Sequence, residues 1–194
     1  STPPVESSDG APGRVSFVES IGVLDRPPSD LGHEATIVFY NDADQFDYRV
    51  PDDCIDPRSG VVCCPGGYAS CEESAGVLFR STWLASYRRW AALDETGYAE
   101  TKRLCERQLT RLGSRFIPDF EKHVEFVDTF TPRTIERYTG HIHGAVYGAP
   151  RKRRDGRTHL SNLFICGTDQ GFLGIIGAML SGITIANRHV LTGD

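Results

Sequence analysis

Residues 162–182, NLFICGTDQGFLGIIGAMLSG, decide how the rest of the chain is read. They open with a short continuous apolar run, 163–166, of the kind that forms a buried strand. A glycine-rich turn follows, and then Ile176, Met179, Leu180, Ile183, Asn187 and Val190 recur at helical spacing. The pattern predicts strand, turn, helix. A helix start carries backbone N–H groups without intrahelical partners and a partial positive charge, so it suits a phosphate or another electron-rich group. Gly174 and Gly177 would let such a ligand approach the backbone without meeting a Cβ. An isolated helical glycine costs about 1 kcal/mol against alanine, so two of them call for a reason. The competing reason is tight packing, because Gly177, Ala178, Ser181 and Gly182 keep one helix face small.

Outward from this stretch, the composition bounds the possibilities. With 194 residues and 39% hydrophobic content the chain is long enough for one sizeable core. Lys and Arg number 21 against 26 Asp and Glu, a net charge of −5, so no overall basic field gathers nucleic acid. No run approaches the ~20 apolar residues that cross a bilayer. The chain is expected to be soluble or at most membrane-peripheral. Residues 1–13 lack the apolar segment of a retained secretory signal. Cys54, Cys63, Cys64 and Cys71 are bunched, whereas Cys105 and Cys166 lie in apolar segments, which suits buried thiols better than a disulfide framework and favours a reducing, cytoplasmic setting. Without a CxxC pair or a nearby histidine pair, no metal site is expected.

Residues 1–14 read as a flexible tail. VSFVESIGVL, from Val15, and 35–40 read as strands of an antiparallel sheet. Residues 52–67, crowded with Pro, Gly and Cys, read as an irregular loop or short strand. Between Trp83 and Leu112 the pattern turns helical, with Tyr98, Thr101, Cys105, Gln108, Leu109 and Leu112 on one face. Lys102, Arg103, Glu106 and Arg107 form a solvated face. Pro118 ends the helix, and 123–129 alternates as a strand. His141 and His143 flank Ile142, so in a strand they would share a face and could work near neutral pH. Residues 151–154, RKRR, read as a basic hairpin tip.

Taken together, Tyr98 with Lys102, Thr131-Pro132, GAVYG at 144–148, NLFICGTD and GIIGAMLSG resemble, in order, the C-terminal part of FAD-dependent oxidoreductases of the phytoene desaturase and carotenoid isomerase type, within the flavin amine-oxidase-like superfamily. The resemblance implies FAD as cofactor. It implies Asp169 as the acidic ligand, Gly167 and Thr168 as the turn, and Gly174, Ile175, Ile176 and Gly177 as flavin-facing backbone. His141, His143 and Tyr147 are the candidates near the reacting centre. Hydride transfer on an apolar organic substrate is the implied chemistry, with the protein orienting flavin and substrate and excluding water. The alternatives are a flavin-dependent isomerase and a non-catalytic scaffolding or binding subunit that keeps the fold.

This chain departs from the family in two places. Phe172 and Leu173 stand where the family usually has Pro-Gly, and no G-x-G-x-x-G occurs. The expected fold class is therefore α/β. An α+β substrate portion, 15–130, would be followed by the C-terminal strand-turn-helix of a Rossmann-like FAD-binding domain, 131–194. A second polypeptide with the dinucleotide-binding half would complete it across a large apolar interface, well above ~2,000 Å².

Overall fold

A computed structural model describes residues 11–68 and 76–191. The expectations for residues 1–10 and for Cys71 lie outside these. The framework is a five-stranded antiparallel sheet made of β1 (Ser16–Leu24), β2 (Ile37–Asn41), β3 (Ser59–Cys63), β4 (Leu78–Ala85) and β5 (Val124–Phe130), in the order β2-β3-β4-β1-β5. β1 lies inside the sheet because its alternation is unbroken. Ser16, Val18, Ser20, Gly22 and Leu24 are buried, and the residues between them are half-buried.

The buried face packs against α2 (Glu95–Gly113), which is preceded by the short α1 (Tyr87–Ala91). Asp94 caps α2, its carboxylate accepting the Gly97 N–H at 2.7 Å. The helix runs so close to β1 that a Cβ on Gly22 would lie 3.2 Å from Leu109 Cδ2. Trp83, Phe79, Val18, Val62, Leu109, Ile117 and Phe120 fill this layer, with Trp90 closing one end through an Nε1–H bond to the Cys54 carbonyl at 3.0 Å. After the helix turn α3 (Phe120–His123), β5 leads to α4 (Pro132–Thr139). There Thr131 and Thr134 form a capping box and Gly140, at φ +70°, closes the end.

Three expectations change. Trp83 belongs to β4, so the helical region begins later than the face pattern indicated. The run 78–85 has a strand partner on each side, and tertiary pairing overrides a local 3.6-residue reading. Residues 163–166 are not a strand. Without a neighbouring strand among the described residues they keep only an isolated bridge between Arg157 and Phe164, and Leu163 and Cys166 are exposed, so the Cys166 thiol is not buried as expected. The described sheet is antiparallel throughout, as expected for the 15–130 portion. His143 lies in a single 3-10 turn, Ile142–Gly144, at φ +61°, and His141 precedes it as the N-cap, so the shared strand face does not exist.

The expected C-terminal helix is present as α5 (Gly174–Ala186), continued by a π-helical turn, Asn187–Leu191. It buries only Ser181 and Ile185, while Ile176, Met179, Ile183 and Val190 stand in solvent. No helix among the described residues is long and apolar enough to cross a membrane.

The core assignment predicts that Leu109→Ala, deleting a fully buried side chain under the closest approach of α2, costs about 2–5 kcal/mol. Denaturant unfolding of wild type and variant checks this, and a loss below ~1 kcal/mol would place the core elsewhere.

Candidate functional site

Residues 144–148 lie along the start of β1. The Val146 N–H donates to the Val15 carbonyl at 3.1 Å, and the Ser16 hydroxyl donates to the Gly144 carbonyl at 2.7 Å. The loop then turns at Gly148, φ +65°, where a Cβ would sit 2.3 Å from Asp169 Oδ1. Only glycine satisfies both the conformation and the space. That same carboxylate oxygen accepts the Ala149 N–H at 2.6 Å, and the Asp169 carbonyl accepts the Arg153 N–H at 2.8 Å. Asp169 therefore locks the 144–149 loop beside β1 onto the turn Gly167–Asp169, a single 3-10 turn that also holds Thr168.

A second lock joins this turn to α5. The Gly167 N–H donates to Ser181 Oγ at 2.5 Å, the Ser181 hydroxyl donates to Gln170 Oε1, and Gln170 Nε2 donates to the Arg154 carbonyl at 2.9 Å. Gln170 and Ser181 are both buried. The sequence reading missed this pair. Its trace was Ser181 on the small-residue face of α5, which was read as a packing feature alone.

Gly167 and Gly174 carry φ of +82° and +73°, and a Cβ added at either would meet nothing within 4 Å. The backbone is thus open to a ligand at both. Leu173, at the N-cap, provides no side-chain cap, so the first N–H groups of α5 are not capped from within. Ile175 and Ile176 are 84% and 74% exposed, and a Cβ on Gly177 would lie 3.3 Å from the Phe172 carbonyl carbon. The arrangement presents a carboxylate, an uncapped helix start and unobstructed glycine backbone along one open side. It could take the anionic and hydroxyl-bearing parts of a dinucleotide.

The candidates for the reacting centre are dispersed around the 3-10 turn. His141, exposed, places Nδ1 3.0 Å from the Ala145 carbonyl, which makes Nδ1 the protonated nitrogen and leaves Nε2 as acceptor. The His143 backbone N–H donates to Glu136 at 3.1 Å, and its ring lies 5.2 Å from that of Tyr87, whose hydroxyl also donates to Glu136. Glu136, absent from the sequence reading, organises this corner. Tyr147 packs edge-on against Phe17, ring centres 5.7 Å apart, and bonds to Tyr48. Burial, with Tyr147 adding to it, pushes the Tyr48 hydroxyl up to about 12.

Two outcomes follow. Gly148→Ala meets both a left-handed φ and the Asp169 contact, so Ala149 and the 167–169 turn should lose amide-exchange protection while α2 keeps its own. Equal protection would show that the lock is not needed. For Tyr48, a raised folded-state value means neutral-form stabilisation that is complete below the ordinary tyrosine value of 10.0 and lost as pH rises through about 12. Burial also raises Tyr40 and the Glu136 hydrogen bond raises Tyr87, so spectrophotometric titration should show late tyrosines of which Tyr147→Phe moves one, Tyr48, down.

No family model matches the chain. The chain is similar to the all-trans-retinol 13,14-reductase of Danio rerio, 30% identical over 109 residues, which cover 49% of this chain and 18% of that protein. The chain thus matches less than a fifth of that relative's length.

Proposed function

We propose that this chain supplies the C-terminal part of an FAD-dependent oxidoreductase that transfers hydride to or from an apolar organic substrate. The observation that carries the reading is the convergence of the segments bearing the family resemblance. Residues 144–149, 167–170 and α5 are bonded to one another through Asp169 and Ser181. The partial similarity to a retinol reductase points in the same direction.

The fit to FAD rests on the open backbone at Gly167 and Gly174 and on the donor set around them. Asp169, with Oδ1 spent on Ala149, would hold a ribityl hydroxyl or the region near the pyrophosphate through its other oxygen. The backbone of Gly174, Ile175, Ile176 and Gly177 would face the flavin. Bound there, FAD supplies hydride chemistry. The residues of this chain bind and orient, and the apolar side chains at 172–176 exclude water. Tyr147, His141 and His143 are our candidates for contact with substrate.

Only one side of such a site is present. Ile175, Ile176, Met179, Leu180 and Ile183 are exposed along α5, an apolar surface larger than scattered exposed side chains explain. The G-x-G-x-x-G half, on another segment or a second polypeptide, would cover it.

Purification of the native protein tests this through its visible spectrum and its polypeptide count. Flavin absorbance together with a G-x-G-x-x-G-bearing sequence is expected. A colourless, folded single chain would overturn the reading in favour of a scaffolding role. Ile176→Asp should abolish flavin retention while leaving the α2 core folded, since that residue makes no part of it.

A further inference from the structure

Beside the corner that Glu136 organises lies a groove of about 590 Å³, walled by Tyr87 of α1, Tyr98 of α2 and Arg133, Glu136, Arg137 and Tyr138 of α4. That is within the ~300–1,000 Å³ of a small-molecule site. Arg133 and Arg137 stand four positions apart on α4, so they share one side of the helix and repel one another. Each guanidinium is laid over a tyrosine ring. Arg133 Cζ lies 4.6 Å from the Tyr98 ring centre, and Arg137 Cζ lies 5.7 Å from that of Tyr138. Tyr98 is itself fixed, its hydroxyl 2.9 Å from Oγ1 of Thr131, the residue that caps α4. Stacking occupies the face of a guanidinium and leaves its in-plane N–H donors for a ligand.

No carboxylate takes those donors. Among the described residues neither arginine makes an ion pair or a hydrogen bond. Glu136, the acidic residue of the groove, is turned to the corner, where one oxygen accepts the Tyr87 hydroxyl and the other the His143 N–H. The geometry points to a nucleotide site, in which Arg133 and Arg137 hold a phosphate group and the tyrosine rings take the planar base. A phosphate dianion matches two guanidinium forks in charge and in donor geometry, and it relieves their mutual repulsion. A bare phosphate would leave most of the groove empty. A base fills it by stacking on aromatic faces, which needs no hydrogen bonds to the ring. Tyr138, 76% exposed, stands at the groove with no core to fill. An ammonium ligand would meet two like charges, and an apolar one would cover both without a partner. Because Glu136 serves both the groove and His143, a bound nucleotide would lie next to the turn that carries the reacting-centre candidates. The site goes beyond the oxidoreductase reading and does not depend on it.

The test uses the natively purified protein and three probes, 5′-AMP, adenosine and inorganic phosphate, with binding read by titration calorimetry at low salt. AMP should bind at least ~10-fold more tightly than either other probe, because charged hydrogen bonds and base stacking combine only when one molecule carries both groups. Arg133→Gln and Arg137→Gln should each lower AMP affinity at least ~10-fold and leave adenosine binding unchanged. Tyr138→Leu should weaken AMP and adenosine and leave phosphate unchanged. In wild type, AMP should also slow amide exchange at 133–138, a readout that needs no variant to fold. Phosphate as tight as AMP would overturn the nucleotide in favour of a bare anion, and adenosine as tight as AMP would overturn the role of the two arginines. Wild-type AMP affinity in both arginine variants, or binding without protection at 133–138, would overturn the proposal by putting the nucleotide elsewhere, as on a dinucleotide-binding half. Absence of AMP binding would overturn it outright. None of these outcomes turns on flavin content, so the oxidoreductase reading stands or falls by its own spectrum.

Discussion

The contact between Gly148 and Asp169 is the constraint on which the C-terminal third depends. A carboxylate oxygen occupies the place where a Cβ would stand and bonds the next backbone N–H. On one side the loop is fixed to the first residues of β1 through Val15 and Ser16. On the other, the turn bearing Asp169 is fixed to α5 through Gln170 and Ser181. The contact matters because α5 buries only Ser181 and Ile185 of its own, so the sheet and the terminal helix share their reference through this loop and the 152–157 segment bonded beside it. A few hydrogen bonds, each worth about 0.5–1.5 kcal/mol net, therefore hold what burial holds elsewhere.

The molecule consequently has two kinds of surface. The layer between the sheet and α2 is closed and dry, built on Trp83, Phe79, Leu109 and Phe120. The opposite sheet face and α5 are apolar and open. A chain that left such area in water permanently would associate. The same two surfaces border the segments that carry the flavin-enzyme resemblance.

Much of this was legible in the sequence. The periodicity of 98–112 places Cys105, Leu109 and Leu112 on the buried side of α2, and the strands near 15–24, 35–40 and 123–129 stand close to where their alternation put them. The glycines of α5 and the turn before it were visible as a pattern. What escaped depends on partners far along the chain. Trp83 looks helical until β1 and β3 are known to flank it. The run 163–166 looks like a strand, but strand formation needs a neighbour, and among the described residues no strand ladder forms beside it. The histidine turn was misread because a φ of +61° at a non-glycine residue has no local sequence signal. Gln170 and Glu136 are polar residues whose value lies in contacts 11 and 16, and 7 and 49, positions away.

The most direct test of the central claim is amide hydrogen exchange compared between the flavin-loaded and flavin-stripped holoenzyme. The account predicts that flavin slows exchange at 167–169 and at 174–177, while the amides of α2, behind the sheet, keep the same rates in both states. Unchanged exchange at 167–177, or protection confined to the α2 side of the sheet, would contradict it.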